Sequence, residues 1–221
     1  MNVLILCETS GAVREAFRAR GHHAWSCDLL PADDGSRWHM QADMWDVLTG
    51  TMGFWDLVIA HPSCTYLTVS AAWAFGDGPY HQRVKPDTLV GKARRAARSD
   101  ALAGFRRLLA LPCCVAVENP APSFVSRAPG LRPPDQTVQP FEFGDDASKR
   151  TGLWLKGLPL LTTDPAQRVA GRIVGGRERW ANQTDSGQNR LTPGPDRWKL
   201  RSKTYPGIAT AMAEQWGLTA P

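Results

Sequence analysis

An α/β domain with a mostly parallel sheet and helices on both faces is the fold class predicted for this 221-residue chain. Three observations predict it. Apolar runs of strand length alternate with segments of helical periodicity. Those runs lack the in–out alternation of a half-exposed sheet, so they suit strands covered on both faces. Polar and reactive residues follow the runs at once, where open α/β sheets hold their ligands. A composition of 43% hydrophobic and 21% charged residues is ordinary globular usage and excludes wholesale disorder. No stretch reaches the ~18 apolar residues of a membrane span. The start "MNVLILCETSG" lacks a basic leader, so a soluble, cytoplasmic protein is expected.

The elements are expected in this order. "NVLILC" is a first strand, bounded by "ETSGA". "AVREAFRARG" places Val13, Ala16 and Phe17 on one helical face and ends at Gly21. "HHAWSCDLL" is a second strand reaching Asp28, and "WDVL" a short helix. "WDLVIAH" is a third strand. Residues 85–111 are helical for most of their length, and "PCCVAVENP" is a fourth strand stopped by proline.

Cysteine usage narrows the chemistry. Cys7, Cys27, Cys64, Cys113 and Cys114 are odd in number and contain no C-x-x-C pair, so neither a disulfide framework nor a metal site is expected. Cys113 and Cys114 lie in an apolar run and read as core. The net charge of +5 is uneven. Residues 83–107 carry eight Lys or Arg against two Asp, and residues 167–203 carry nine against three acids. Two basic blocks on an otherwise acidic chain point to a polyanion, with nucleic acid first. Arg94, Arg95 and Arg98 of the first block are the expected phosphate contacts, against the alternative of a solvated helix face.

The residues after the strands form a set. Thr9, Ser10, Gly11 and Ala12 make a small-residue turn into a helix, which suits a ligand's polar part. Asp28, at the end of the second strand, suits a ribose diol. Pro62 fixes the backbone just before Cys64. Cys64 and Glu118 stand at the ends of the third and fourth strands, a nucleophile and an acid. That pair suits cytosine chemistry. A thiolate adding to carbon 6 makes carbon 5 an enamine carbon, and a carboxyl group at ring nitrogen 3 stabilises the charge that develops.

"PSCT" followed one strand later by "ENP" resembles the Pro-Cys and Glu-Asn motifs of the DNA cytosine-5 methyltransferases. Further marks come in the same order: "TSGAV" is similar to the cofactor turn, "CDL" to the ribose acid and "QADMWD" to the adenine-contacting segment. "KRTGLWLKGLPLL" resembles the arginine-bearing strand, and "SKTYPGIATAMAEQWG" the closing turn and helix. The resemblance is to the compact bacteriophage and prophage type. It implies a Rossmann-like S-adenosylmethionine-dependent methyltransferase fold acting on double-stranded DNA. By position, Cys64 would be the nucleophile, Glu118 the group at nitrogen 3, Asn119 the residue shaping the strand end and Arg150 a contact to the base or a phosphate. Thr9, Ser10, Gly11, Ala12, Asp28, Asp43, Met44 and Pro62 would line the S-adenosylmethionine pocket, with Trp45 a candidate to stack on adenine. The chain departs from the pattern at Thr65, Pro120 and Val13, and "KRT" replaces Gln-x-Arg-x-Arg.

The resemblance and the composition together divide the chain into a catalytic and cofactor-binding domain (1–161), a target-recognition segment (162–203) and a C-terminal turn and helix (204–221). The middle segment shows little helix or strand periodicity. Its Gln183, Gln188, Asn189 and Arg190 are side-chain types that pair with base edges. Residues 68–90 form a loop that could close over an extruded base. Three functions stay open: a DNA cytosine-5 methyltransferase, a same-scaffold enzyme placing another group or acting on RNA or a nucleotide, and a silent nucleic-acid binder.

Overall fold

Five parallel strands make the body of the sheet in a computed structural model that describes residues 1–81, 83–194 and 196–218. Gln82, Pro195 and residues 219–221 fall in the expected closing loop, recognition segment and C-terminal helix, and lie outside the described residues. The strands are β1 (Asn2–Leu6), β2 (His23–Asp28), β3 (His39–Gln41), β4 (Leu57–Ala60) and β5 (Cys114–Pro120). β6 (Gln136–Val138) and β7 (Thr151–Lys156) complete the sheet, with β7 antiparallel to both β5 and β6. The order is β3-β2-β1-β4-β5-β7-β6. From β1 the chain moves outward through β2 and β3, then returns to lay β4 on the other side of β1. That reversal opens a crevice at the carboxyl ends of β1 and β4, where open α/β sheets bind ligands.

Strand alternation splits the core in two. Val3, Ile5, Leu57, Ile59 and Ala116 face helices α1 (Ala12–Arg18) and α5 (Pro206–Trp216). Leu4, Leu6, Val58, Ala60, Val115 and Val117 face α2 (Met44–Gly50) and α3 (Gly91–Leu109). Burial of alternate residues on opposite faces is why these runs are continuously apolar. α5 buries Ile208, Ala209, Met212 and Trp216, and the Trp216 indole donates to the Pro159 carbonyl at 3.0 Å. A Cβ at Gly207 would collide with the Phe143 carbonyl, so the close approach of α5 requires glycine there.

Several expectations are adjusted. β3 is an unforeseen strand; it is three residues long and half-exposed, too short for a period to register. Helix α3 begins at Gly91 rather than near residue 85. Pro120 is the last residue of β5, tolerated because β4 has ended and only β7 pairs with it. Cys113 lies before β5, and it and Cys114 are half-buried rather than core. Residues 162–203 are more ordered than their composition suggests. They hold a hairpin of β8 (Arg172–Val174) and β9 (Arg177–Arg179), and helix α4 (Arg197–Ser202). Trp180 stacks on Phe141 at 4.0 Å, and Asn182 bonds both the amide and the carbonyl of Ser148. The segment is thereby fastened to the approach to β7. Among the described residues, no helix is long and apolar enough to cross a membrane.

Candidate active site

The register of β4 and β5 pairs Ala60 with Val117, and one step further it sets His61 beside Glu118. Both side chains keep the parity of Ile59 and Ala116, so they leave the sheet on the α1 side. His61 Nδ1 lies 2.8 Å from Glu118 Oε2, and Lys149 Nζ lies 3.6 Å from Glu118 Oε1. Lys149 also donates to the carbonyls of Ser202 (3.5 Å) and Lys203 (3.3 Å), which brings the end of α4 to the same carboxylate. Burial alone would raise the Glu118 pKa, but the charges of Lys149 and His61 outweigh it and hold the carboxyl well below its usual range. Burial opposes the imidazolium too, yet Glu118, then Glu8, push the His61 pKa up. His61 Nε2 is buried with no partner among the described residues.

Glu8 is the second acid of this cluster. Its carboxylate accepts from the Val13 amide (2.8 Å) and the Arg14 amide (3.3 Å) at the start of α1. Those N–H groups are therefore occupied from within the chain, rather than left open for a ligand's anion as the small-residue turn suggested. Burial raises the Glu8 pKa despite the opposing charge of His61. Gly11 sits at φ 71°, with the Arg14 guanidinium in the space a Cβ would need. Arg14 is fully buried, bonded to Ser26, Glu15 and Asp34, and ties α1 to β2 and to the loop after it.

The other proposed pocket residues gather at the ends of β1 and β2. Asp28 is half-buried, with Oδ1 accepting from the Leu30 amide at 3.0 Å. Asp43 caps α2 by accepting from the Trp45 amide at 2.7 Å. The Cys7 thiol lies 3.6 Å from the Met44 sulfur, and burial, then Asp28, Cys27 and Asp43, push it up to about 12. Both acids therefore face a common sulfur-lined spot. The Thr9 carbonyl accepts from the Asp33 amide at 2.8 Å, and Asp33 pairs with Lys199 (2.7 Å) and Lys203 (3.4 Å). Ser10, Ala12 and Pro62 are half-buried around the same edge. Trp45 turns to α3 instead, where the Arg107 guanidinium stacks on it at 3.8 Å.

Cys64 is half-buried in the turn after β4. Its carbonyl accepts from Leu67 (3.1 Å) and Thr68 (2.9 Å), closing a tight turn. The Leu67 carbonyl accepts from the Phe124 amide (2.7 Å) and the Ser123 hydroxyl (3.0 Å). That hydroxyl also lies 3.3 Å from Asn119 Oδ1, so Asn119, on the opposite face from Glu118, couples the end of β5 to the cysteine turn. Asn119 is 1% exposed and its Nδ2 has no partner among the described residues.

The first basic block is built into this scaffold. Arg94 is 5% exposed; its Nη2 donates to the Thr65 carbonyl at 2.9 Å and its Nη1 to Leu89 at 3.2 Å. It is therefore corrected from a phosphate contact to a support of the cysteine turn. Arg95 donates to the Phe75 carbonyl at 2.7 Å and pairs with Asp77, and Arg98 stacks on Phe75 (4.0 Å) and Phe124 (4.4 Å). Both are half-buried. Arg150 is exposed with no side-chain hydrogen bond or ion pair among the described residues, and the neighbouring Lys149 is the cation that reaches Glu118. In the hairpin segment, Gln183 bonds the Trp180 amide and the Gly187 carbonyl, Asn189 the Leu191 amide and Arg190 the Gln183 carbonyl. Only Gln188 of those four is exposed with its side chain uncommitted among the described residues. Trp154 is core, its ring 5.1 Å from Phe105.

His61, Lys149 and Glu8 are residues that sequence reasoning placed near the strand ends but gave no role. The parity of β4 was the available signal for His61, since a histidine in phase with Ile59 must share a face with Glu118. Comparison with known proteins adds no assignment: no protein-family model matches the chain, and no curated protein matches it.

Proposed function

We propose that the chain is a DNA (cytosine-5) methyltransferase with a Rossmann-like, S-adenosylmethionine-dependent methyltransferase fold. The observation that carries this reading is the placement of Cys64 and an ionised Glu118 at the carboxyl ends of adjacent strands, beside the β1/β4 crevice. Cys64 would attack carbon 6 of a flipped-out cytosine, and Glu118 would engage nitrogen 3 and the exocyclic amine. The turn that bears Cys64 is fixed from three sides, by Arg94, Ser123 and Phe124, which suits a nucleophile that must meet one ring carbon.

The crevice residues fit the cofactor in chemistry. Two carboxylates, Asp28 and Asp43, around an apolar spot lined by Cys7 and Met44 suit a cationic sulfonium nucleoside. Asp28 would hold the ribose hydroxyls, and Asp43 and Met44 would border the adenine. S-adenosylmethionine, when bound, supplies an electrophilic methyl group. Around it, this chain's residues exclude water and orient the base. Gln188 and the basic surface of residues 167–203 would meet the duplex.

The test is a mass spectrum of nucleosides from duplex DNA incubated with the protein and S-adenosylmethionine. The reading predicts 5-methylcytosine. Unmodified DNA across varied sequences, with both cofactor and DNA shown to bind, would overturn it; a heavier cytosine adduct would mean another group is transferred.

A further inference from the structure

We propose that His61 stores the proton that cytosine nitrogen 3 takes up, and that Glu118 stays a carboxylate between turnovers and hands that proton on. The proposal rests on the methyltransferase reading and adds to it a residue that acts through another. Nitrogen 3 of neutral cytosine presents a lone pair. A carboxylate set against it repels unless one of the two carries a proton. Glu118 lies between His61 Nδ1 at 2.8 Å and the Lys149 ammonium at 3.6 Å, and such a site keeps it ionised. The proton must therefore come from a neighbour. Lys149 is engaged with two backbone carbonyls at the end of α4 and is the weaker acid of the two.

His61 meets the requirements. It touches Glu118 directly, its side chain is 11% exposed, and every charged group identified as acting on it belongs to this cluster. Glu118 faces it from β5, Glu8 from the turn before α1 and Lys149 from the approach to β7. Two carboxylates and one other cation leave room for one more positive charge, which the imidazolium supplies. Among the described residues its Nε2 has no partner, so the bond to Glu118 is what orients the ring.

The step balances. The Cys64 thiolate forms the S–C6 bond, and the C5–C6 π pair becomes the enamine. Nitrogen 3 takes a proton from the Glu118 carboxyl group, which takes one from His61 Nδ1, leaving a neutral imidazole. After carbon 5 is alkylated, its hydrogen leaves to water and the S–C6 bond breaks. The nitrogen 3 proton then returns through Glu118 to His61.

His61→Asn and His61→Gln keep a donor toward Glu118 but cannot titrate. Single-turnover methyl transfer is measured from pH 5.5 to 9.5 with duplex DNA and S-adenosylmethionine. The proposal predicts that the wild-type rate carries a fall at alkaline pH that both variants lack. Both should lose about 100-fold in rate, the scale of one proton transfer, with DNA Kd within about two-fold. Imidazole nitrogen shifts of the wild-type protein, assigned by their absence from the variants, should report a protonated His61 at pH 7.5. A neutral His61 at that pH would overturn the proposal without any activity measurement. An active wild type whose folded variants keep the rate and the pH profile would overturn it while leaving the methyltransferase reading intact. A wild type that makes no 5-methylcytosine under any condition would remove both.

Discussion

Arg94 Nη2 donates to the Thr65 carbonyl at 2.9 Å, so the first turn of α3 holds the residue that follows Cys64. The same guanidinium lies 4.8 Å from the Phe75 ring and 5.3 Å from Tyr66, which buries it among the loop it supports. Arg94→Ala should cost roughly 1–3 kcal/mol, the scale of a buried charged hydrogen-bonding group removed from its partners. Thermal unfolding checks the cost. The salt dependence of DNA binding should not change, because Arg94 meets no phosphate. A slope reduced by about one would return it to the nucleic-acid surface.

The His61–Glu118 pair makes stability depend on pH in a defined sense. His61 has its pKa raised above 6.5, so its stabilisation is fully present below 6.5 and is lost as pH rises through the folded value. Glu118 has its pKa lowered below 4.5, so its share is present above 4.5 and is lost as pH falls through the folded value. Glu8, with a raised pKa, works against stability as pH climbs from its ordinary value to its folded one. Urea unfolding of wild type and His61→Asn should therefore differ by about 1–3 kcal/mol at pH 6, and by less at pH 9. A gap that stays constant or widens would contradict the pairing.

Lys149 and Arg150 should separate cleanly. Lys149→Met removes the cation 3.6 Å from Glu118 and releases two carbonyls of the α4 end. Methyl transfer should fall by about 100-fold or more, the scale of one lost electrostatic contact at a reacting centre. Arg150→Ala should change DNA affinity more than rate, since that side chain faces solvent. Equal rate losses in the two variants would place both at the base.

Gln188 and Gln183 differ in kind despite their chemistry. Gln188 is exposed and uncommitted among the described residues, whereas Gln183 bonds two backbone groups of its own hairpin. Gln188→Ala should alter the sequence preference of binding or modification and leave the melting temperature within about 1 °C, since surface changes fall within ~0.5 kcal/mol. Gln183→Ala should lower the melting temperature instead. The reverse pattern would mean that the hairpin presents a different face to DNA.

The strands were legible because burial on both faces makes their apolar runs continuous, as "NVLIL" and "LVIA" show. The strand ends were legible for the same reason, and Asp28, Cys64 and Glu118 all fall there. What stayed hidden depends on contacts distant in sequence. Arg94 reads as one cation in a basic helix, and only the packing of the 65–75 loop turns it inward. Lys149 and Arg150 are adjacent, and only the register of β7 decides which of them reaches Glu118. Residues 162–203 lack long periods because their order comes from side chains such as Trp180 and Asn182 anchoring to residues 141–148, not from an apolar face of their own.

The measurement closest to the central claim is covalent trapping on duplex DNA carrying 5-fluorocytosine at the modified position, with S-adenosylmethionine present. Fluorine cannot leave carbon 5 as a proton does, so a thiolate adduct at carbon 6 persists through denaturing electrophoresis. Wild type and Cys113→Ser should both form the adduct, because Cys113 lies before β5 away from the strand's carboxyl end. Cys64→Ser should bind the same DNA, form no adduct and transfer no methyl group. Full methyl transfer or an intact adduct in Cys64→Ser would contradict the account.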